Sequence, residues 1–504
     1  TAPGPLYPRA ETIRVLVDVI DQIPRFIGRG RSALHNICEG ISIQDLPPVL
    51  EGLISPYEVV REACITAIRG CPLLSSHQFP ADSYVMYPLW MSRCDVEAIS
   101  TPANEVWAIY DHPLSAQFFG HLKKYLSSSS EVISDLAAQA LAAAIGVHPQ
   151  TAHEVITALT KLFRSNPVTK QKANPEVEAV EESESDSNSA TKIATRMGAL
   201  KGLGACAPYC SSQEMLKLIF EFLLNDPMQY DDATRVLAVN SGIAIIEKQG
   251  NQFHSFLFPH FESHLARVSS MKNATLRDKI KEACVLFMAS LAKSAEVDPA
   301  RTDKIVANLT SLLSTPSQLV QEAVCSCFTC IAPIATPEQQ ESLIKLLIGF
   351  LTNPNKVPER RCAAYALSGF VKGLGLMSLK KFNIMAMLTD AVDESKKPPT
   401  RQGALYAFEL LSRSLGRLFE PYVIQILPKL LSCYGDNAGE IREATGAAAR
   451  SIMGQLSAHG LKLVLPALLK ATEDSSWRTK KSSIHLLASM AFCSPQQLSA
   501  CLPQ

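Results

Sequence analysis

The stretches VQEAVCSCFTCI (residues 320–331), ERRCAAYALSGF (359–370) and TRQGALYAFELL (400–411) decide the fold. Each opens near a basic or amide residue, reaches Ala or Gly two or three positions later and continues as an apolar helical run. The frame recurs in IKEACVLFMASL (280–291), EIREATGAAARSI (440–452) and WRTKKSSIHLLASM (477–490). The anchors are Lys281, Gln321, Arg361, Arg401, Arg442 and Lys480, spaced by 40, 40, 40, 41 and 38 residues. Upstream the register is looser, with Arg61 in VVREACITAIRG, Arg196 in TRMGALKGLGA and Arg235 in TRVLAVNSGIAII.

Between the anchors, apolar residues fall at i, i+3, i+4 and i+7, as in ESLIKLLIGFL and RTDKIVANLTSLL, and Pro, Asn, Asp and Ser punctuate the runs. Alternating β-branched segments do not recur. The reading is an all-α chain of short paired helices, and a period near 40 marks HEAT or armadillo repeats. Roughly eleven or twelve stacked helix pairs of a HEAT-repeat α-solenoid fill the 504 residues. Each pair has an apolar face too wide to bury alone, so it packs on its neighbours. Arg361, Arg401, Arg442 and Lys480 then fall in a ladder along the stack, with turn acids six residues earlier, Asp436 for Arg442 and Asp474 for Lys480, placed to pair with them. Pro428 and Pro466 lie inside first helices, which they should kink.

No apolar run reaches eighteen residues, so no spanning helix and no membrane partner are expected. The chain begins TAPGPLYP and ends SACLPQ, which reads as a segment of a longer protein. Fourteen cysteines, mostly inside apolar helical runs, show no disulfide spacing and suggest a reducing compartment. Net charge is zero but uneven. Residues 1–300 carry 26 Lys and Arg against 33 Asp and Glu, and residues 301–504 carry 22 against 15. A polyanionic partner should therefore meet the C-terminal part.

Residues 165–192 break the pattern: the segment is Ser-rich and polar, with six acids and no base from 173 to 191. It reads as a flexible acidic insertion. Ser183 and Ser185 stand among acids as candidate phosphorylation sites; a solvated linker is the plainer reading.

Little in the sequence points to catalysis. There is no Gly-rich phosphate loop, and GLGL from Gly373 follows a helix, so it reads as a helix stop. Cys325, Cys327 and Cys330 lack a fourth ligand and read as small core residues. His260 and His264 have i, i+4 spacing but no obvious third ligand. No enzyme, no cofactor and no metal are expected.

The basic residues carry more. Lys356, Arg360, Lys380, Lys381, Lys396, Lys397, Arg478 and Lys481 lie off the ladder and are candidate contacts to RNA phosphate. The ladder itself, with Lys281 and Gln321, reads as structural. Trp477 precedes a second helix; it either covers the seam between repeats or stacks on a base.

Several stretches carry a resemblance: GRLFEPYVIQILPKLLSCYGDNAGEIREA, LSAHGLKLVLPALLKATEDSSWRTKKSSIHLLASMAF, SPQQLSACLP, LSTPSQLVQEAV and AAYALSGFVKGLGLMSLKKFNIMAMLTDAVDE. They resemble the giant HEAT-repeat translational regulators of general amino-acid control, the Gcn-one family. The C-terminal part also resembles the HEAT region of fungal elongation factor three. The chain then reads as four regions: N-terminal HEAT repeats over 1–164, the acidic insertion 165–192, which departs from the family's pattern, central HEAT repeats over 193–307, and, as the resemblance implies, elongation-factor-three-like repeats over 308–504. It implies a cytoplasmic, non-catalytic scaffold on stalled or collided ribosomes, touching ribosomal RNA and proteins. The scaffold would work with an ABC-type ATPase and activate the initiation-factor-two kinase through a segment outside this chain. A protein-only HEAT adaptor, such as a transport receptor or a phosphatase scaffold, is the alternative. The basic C-terminal repeats count against a transport receptor, whose inner surface should be acidic.

Overall fold

The computed structural model describes residues 8–75, 83–167, 182–294, 298–353, 356–394 and 396–493. The described secondary structure is helical throughout. The fold is an all-α HEAT-repeat solenoid, and its contacts divide it into two units, Thr1–Gln249 and Gly250–Gln504.

The first unit stacks helices such as Glu58–Arg69 on Glu97–Tyr110 and Glu131–Val147 on Glu182–Ala205. The last of these begins inside the segment read as a flexible insertion, so residues 182–192 are helical where a loop is expected. Residues 168–181 lie outside the described residues, as do the side chains of Ser183 and Ser185. No single described helix is long and apolar enough to cross a membrane.

The second unit is more regular. Its principal helices are α1 (Ala274–Ser294), α2 (Pro299–Leu312), α3 (Gln318–Ile331), α4 (Pro337–Leu351), α5 (Val357–Leu374), α6 (Ile384–Asp393), α7 (Pro398–Leu415), α8 (Glu420–Tyr434), α9 (Gly439–Met453), α10 (Ala458–Ala471) and α11 (Trp477–Cys493). Second helices stack in sequence order, α1 on α3, α3 on α5, α5 on α7, α7 on α9 and α9 on α11. Local chemistry sets where several of the unit's helices start. Asp298 accepts from the Arg301 N–H at 2.6 Å, and Thr336 and Gln339 form a reciprocal capping box. Pro299, Pro337 and Pro398 each occupy the first helical position, where the missing N–H is harmless. Pro428 and Pro466 lie inside α8 and α10. Gly375, at φ 83°, stops α5, so GLGL is a helix end.

The buried faces follow the apolar stripe: Val324, Cys327, Phe328 and Ile331 on α3, Leu367, Phe370 and Val371 on α5, Leu405, Phe408 and Leu411 on α7. Small residues set the spacing. A Cβ on Gly369 would stand 2.1 Å from the Cys325 carbonyl oxygen, and one on Gly373 would stand 2.5 Å from that of Thr329. α5 therefore lies directly on the backbone of α3.

The ladder exists, but its geometry differs from the sequence reading. At the start of several second helices, one long side chain turns back to the carbonyls of the turn before it. Arg61 donates to the Ser55 and Pro56 oxygens at 3.0 and 3.1 Å, Gln321 to Thr315 at 3.2 Å, Arg360 to Asn353 at 2.8 Å, and Arg442 to Asp436 and Asn437 at 2.7 and 2.8 Å. These carbonyls belong to the turns between the paired helices, beyond the reach of the helical hydrogen-bond ladder. Arg61 and Arg360 also tie one repeat to the next, through Asp95 and Gln402, and Arg401 does so through Asp436. The Asp436 carboxylate thus faces Arg401 of the preceding repeat, and only its backbone oxygen meets Arg442. The ladder position in α5 belongs to Arg360, which is 2 % exposed, whereas Arg361 pairs with Glu409 at 3.4 Å. In α11 the buried residue is Thr479, while Lys480 is exposed and the Asp474 carboxylate accepts from the Ser476 N–H. Lys281 is half-buried on α1.

Candidate nucleic-acid interface

The candidate basic residues do not converge. Lys356, Lys396 and Lys397 lie in turns that enter α5 and α7, all exposed. Lys356 pairs with Glu359 at 2.7 Å and Lys397 with Glu394 at 3.7 Å. Lys380 and Lys381 lie on the short helix Met377–Lys381 that follows α5, at the opposite edge of the stack. Lys381 donates to the Gln340 side chain at 3.3 Å. Arg360 leaves the candidate set altogether: its guanidinium is buried and spent on Asn353 and Gln402. A buried charge held by such bonds is structural.

Arg478 and Lys481 are different. They stand on α11 beside a groove of about 790 Å³ between α9 and α11. Arg442, Glu443, Gly446 and Arg450 line it from α9, and Trp477, Arg478, Lys481, Ser482 and His485 from α11. Tyr434, at the end of α8, closes its floor; burial, the larger effect, raises its phenol well above the usual range although Arg450 pulls it down. Arg442 and Arg450 are eight residues apart, about 12 Å along the helix. Gly446 lies between them, and a Cβ there would approach Arg450 Nη1 at 3.3 Å, closer than an ordinary contact. On the facing helix, Arg478, Lys481 and His485 follow an i, i+3, i+7 spacing that keeps them on one side. Among the described residues, no ion pair engages Arg450, Arg478 or Lys481. Four cations thus face one carboxylate, that of Glu443.

Trp477 does not cover the seam between repeats. It is 65 % exposed at the first position of α11, with the Arg478 guanidinium 5.8 Å from its ring centre. The buried residue of that turn is Thr479, which leaves the indole facing outward. The sequence reading passed over Arg450 and assigned Arg442 to the ladder alone. Arg442 and Arg478 are 36 residues apart in sequence and line the groove from α9 and α11.

The metal candidates are occupied otherwise. Burial pushes the Cys325, Cys327 and Cys330 thiols up, which disfavours the thiolate that a metal requires. His264 Nδ1 lies 2.9 Å from Arg267 Nη2 and takes its hydrogen bond. Burial first, then His260 and Arg267, lower the His264 imidazole to about 4. Among the described residues no three His, Cys, Asp or Glu side chains converge as a ligand set.

Comparison with known proteins gives two family matches. Residues 77–293 match "Stalled ribosome sensor GCN1, HEAT repeats", and residues 360–504, which contain the groove, match "EF3 N-terminal HEAT repeat". The chain is 36 % identical to the "eIF-2-alpha kinase activator GCN1" of Dictyostelium discoideum, over 100 % of this chain and 18 % of that protein. It is 36 % identical to "Protein ILITYHIA" of Arabidopsis thaliana, over 97 % of this chain and 18 % of that one. It is 35 % identical to the "Stalled ribosome sensor GCN1" of Homo sapiens, over 99 % of this chain and 19 % of that one. The chain therefore spans less than a fifth of the length of these relatives. Similar to them along almost its whole length, the chain belongs to the GCN1 family of HEAT-repeat proteins.

Proposed function

We propose that this stretch of repeats is a non-catalytic scaffold segment of a cytoplasmic, ribosome-associated sensor of stalled or collided ribosomes. Through that sensor it promotes activation of the kinase that phosphorylates initiation factor two during amino-acid starvation. The names of the relatives in Dictyostelium discoideum and Homo sapiens support this reading, since one is a kinase activator and the other a ribosome sensor. The observation in this chain that carries it is the groove between α9 and α11, where Arg450, Arg478 and Lys481, engaged in no ion pair among the described residues, stand with an exposed tryptophan. Such a surface suits the sugar–phosphate backbone of ribosomal RNA. Lys356, Lys380, Lys381, Lys396 and Lys397 add dispersed positive charge on two edges of the same unit. Several weak contacts on one scaffold give avidity for the particular ribosome arrangement that engages them together. The ladder holds those contacts at fixed spacing, and no covalent chemistry is needed. An ABC-type ATPase is the partner expected to act beside it, and the kinase docks through a segment beyond these residues.

The test is made in cells. The endogenous protein is replaced by a full-length version carrying R450E, R478E and K481E in this segment. Phosphorylated initiation factor two is then measured after amino-acid withdrawal. The expected result is a blunted response at unchanged protein level. A full response would remove the groove from the mechanism.

A further inference from the structure

We infer that the groove between α9 and α11 is a clamp for an unpaired RNA nucleotide, with Trp477 as the stacking platform and Arg442, Arg450, Arg478 and Lys481 as the phosphate contacts. The inference rests on the reading that this segment meets ribosomal RNA, and it names which form of RNA the groove takes. Three observations carry it.

First, the indole is exposed where a structural indole would be buried. Trp90 in the first unit is 4 % exposed and its ring N–H is satisfied by the Ala140 carbonyl at 2.9 Å, whereas Trp477 is 65 % exposed. A flat aromatic face in water is a base-stacking surface, and stacking is open only to bases that are not already stacked in a duplex. Second, the cations lie on two facing walls, Arg442 and Arg450 on α9 and Arg478 and Lys481 on α11. A duplex presents two phosphate strands over a broad surface, whereas a groove walled on both sides admits one strand. Third, the volume of about 790 Å³ falls in the ~300–1,000 Å³ range of pockets that enclose small ligands, which fits a nucleotide with its flanking phosphates. An acidic peptide would satisfy the charge but would leave the indole without a planar partner.

The test is fluorescence anisotropy with the whole chain and a labelled ten-nucleotide oligouridylate. Trp477→Ala should weaken binding about tenfold, in line with one lost base stack, and Trp477→Phe should recover most of it. Arg450→Gln should lower the slope of log affinity against log salt by about 0.7, the value for one phosphate contact on a single strand. A ten-base-pair RNA duplex should bind more weakly than the single strand. The exposure of Trp477 means that its loss should leave the circular dichroism spectrum unchanged. The inference is overturned if Trp477→Ala binds the oligonucleotide as wild type does, if the duplex binds as tightly as the single strand, or if a decaglutamate peptide binds more tightly than both. Sedimentation with ribosomes separates this from the reading beneath it. Ribosome binding that persists without Trp477-dependent oligonucleotide binding sinks the clamp alone. Oligonucleotide binding without ribosome binding sinks the ribosome reading and leaves the clamp standing.

Discussion

Replacing Arg61 by Met should cost the first unit about 3–5 kcal/mol, far more than the loss of any surface ion pair. The Arg61 and Asp95 side chains are 4 % and 3 % exposed and meet at 2.6 and 3.1 Å in a bidentate pair. Arg61 also holds the Ser55 and Pro56 carbonyls. Removing it leaves a buried carboxylate that still accepts from the Val96 N–H at 2.8 Å. Asp95→Leu strands the opposite charge and should cost a similar amount. The double variant Arg61→Met/Asp95→Leu removes both charges, so its cost should fall below that of either single change. What remains is the loss of the turn carbonyls' partner, about 1–3 kcal/mol. The exposed pair of Arg69 and Glu105, at 55 % and 46 %, is the control, and Arg69→Ala should cost less than about 1 kcal/mol. The assay is urea unfolding followed by tryptophan emission. Trp90 is buried in the repeat that contains Asp95, so its signal reports the local transition. For a unit of this size, each kcal/mol moves the thermal midpoint by about 3 °C, so Arg61→Met should lower it by roughly 9–15 °C. If the two single effects simply add in the double variant, within about 0.5 kcal/mol, the ladder is not an interlocked pair and the account of how the repeats are tied is wrong.

Three further outcomes are expected. Arg360→Ala should destabilise the second unit by about 2–4 kcal/mol, whereas Lys481→Ala should change it by less than about 0.5, as urea midpoints would show. Gly369→Ala should also be destabilising, by about 1–3 kcal/mol, because the 2.1 Å approach to the Cys325 carbonyl outweighs the better helix propensity of Ala; a rise in midpoint would contradict that packing. The His264 imidazole, lowered to about 4 chiefly by burial, binds its proton less readily when folded than when unfolded. Its contribution to stability is therefore present above pH ~6.5 and lost as pH falls toward 4, and His264→Asn should flatten that part of the pH–stability curve. An imidazole titration by NMR with a midpoint near 6.5 would refute the assignment.

The repeat period was readable because the anchor residue and the small residues after it answer one geometric demand, the close stacking of second helices. Gly369 fills that role against the Cys325 carbonyl of α3, and Gly403 lets α7 approach the Leu351 carbonyl at the end of α4. Register within the anchor was less readable. Arg360 and Arg361 are adjacent basic residues, and only the helix phase decides that Arg360 turns inward to Asn353 and Gln402. The direction of the acid was hidden for a similar reason. Asp436 lies six residues before Arg442 in sequence, yet the turn aims its carboxylate at Arg401 of the preceding repeat. Charge density alone grouped Lys380, Lys381, Lys396 and Lys397, but antiparallel helices carry them to opposite edges. The groove depends on residues that meet across two second helices, and a 36-residue offset inside a 40-residue period does not declare itself without the helix phases.

The most direct measurement of the central claim is sedimentation of this chain with purified ribosomes across a salt series, wild type beside R450E/R478E/K481E and beside K380E/K381E/K396E/K397E. The account predicts binding at low salt that falls steeply as salt rises, lost in the groove variant and only reduced in the edge variant. Wild-type chain that stays in the supernatant at every salt concentration, or a groove variant that pellets with ribosomes as wild type does, would contradict it.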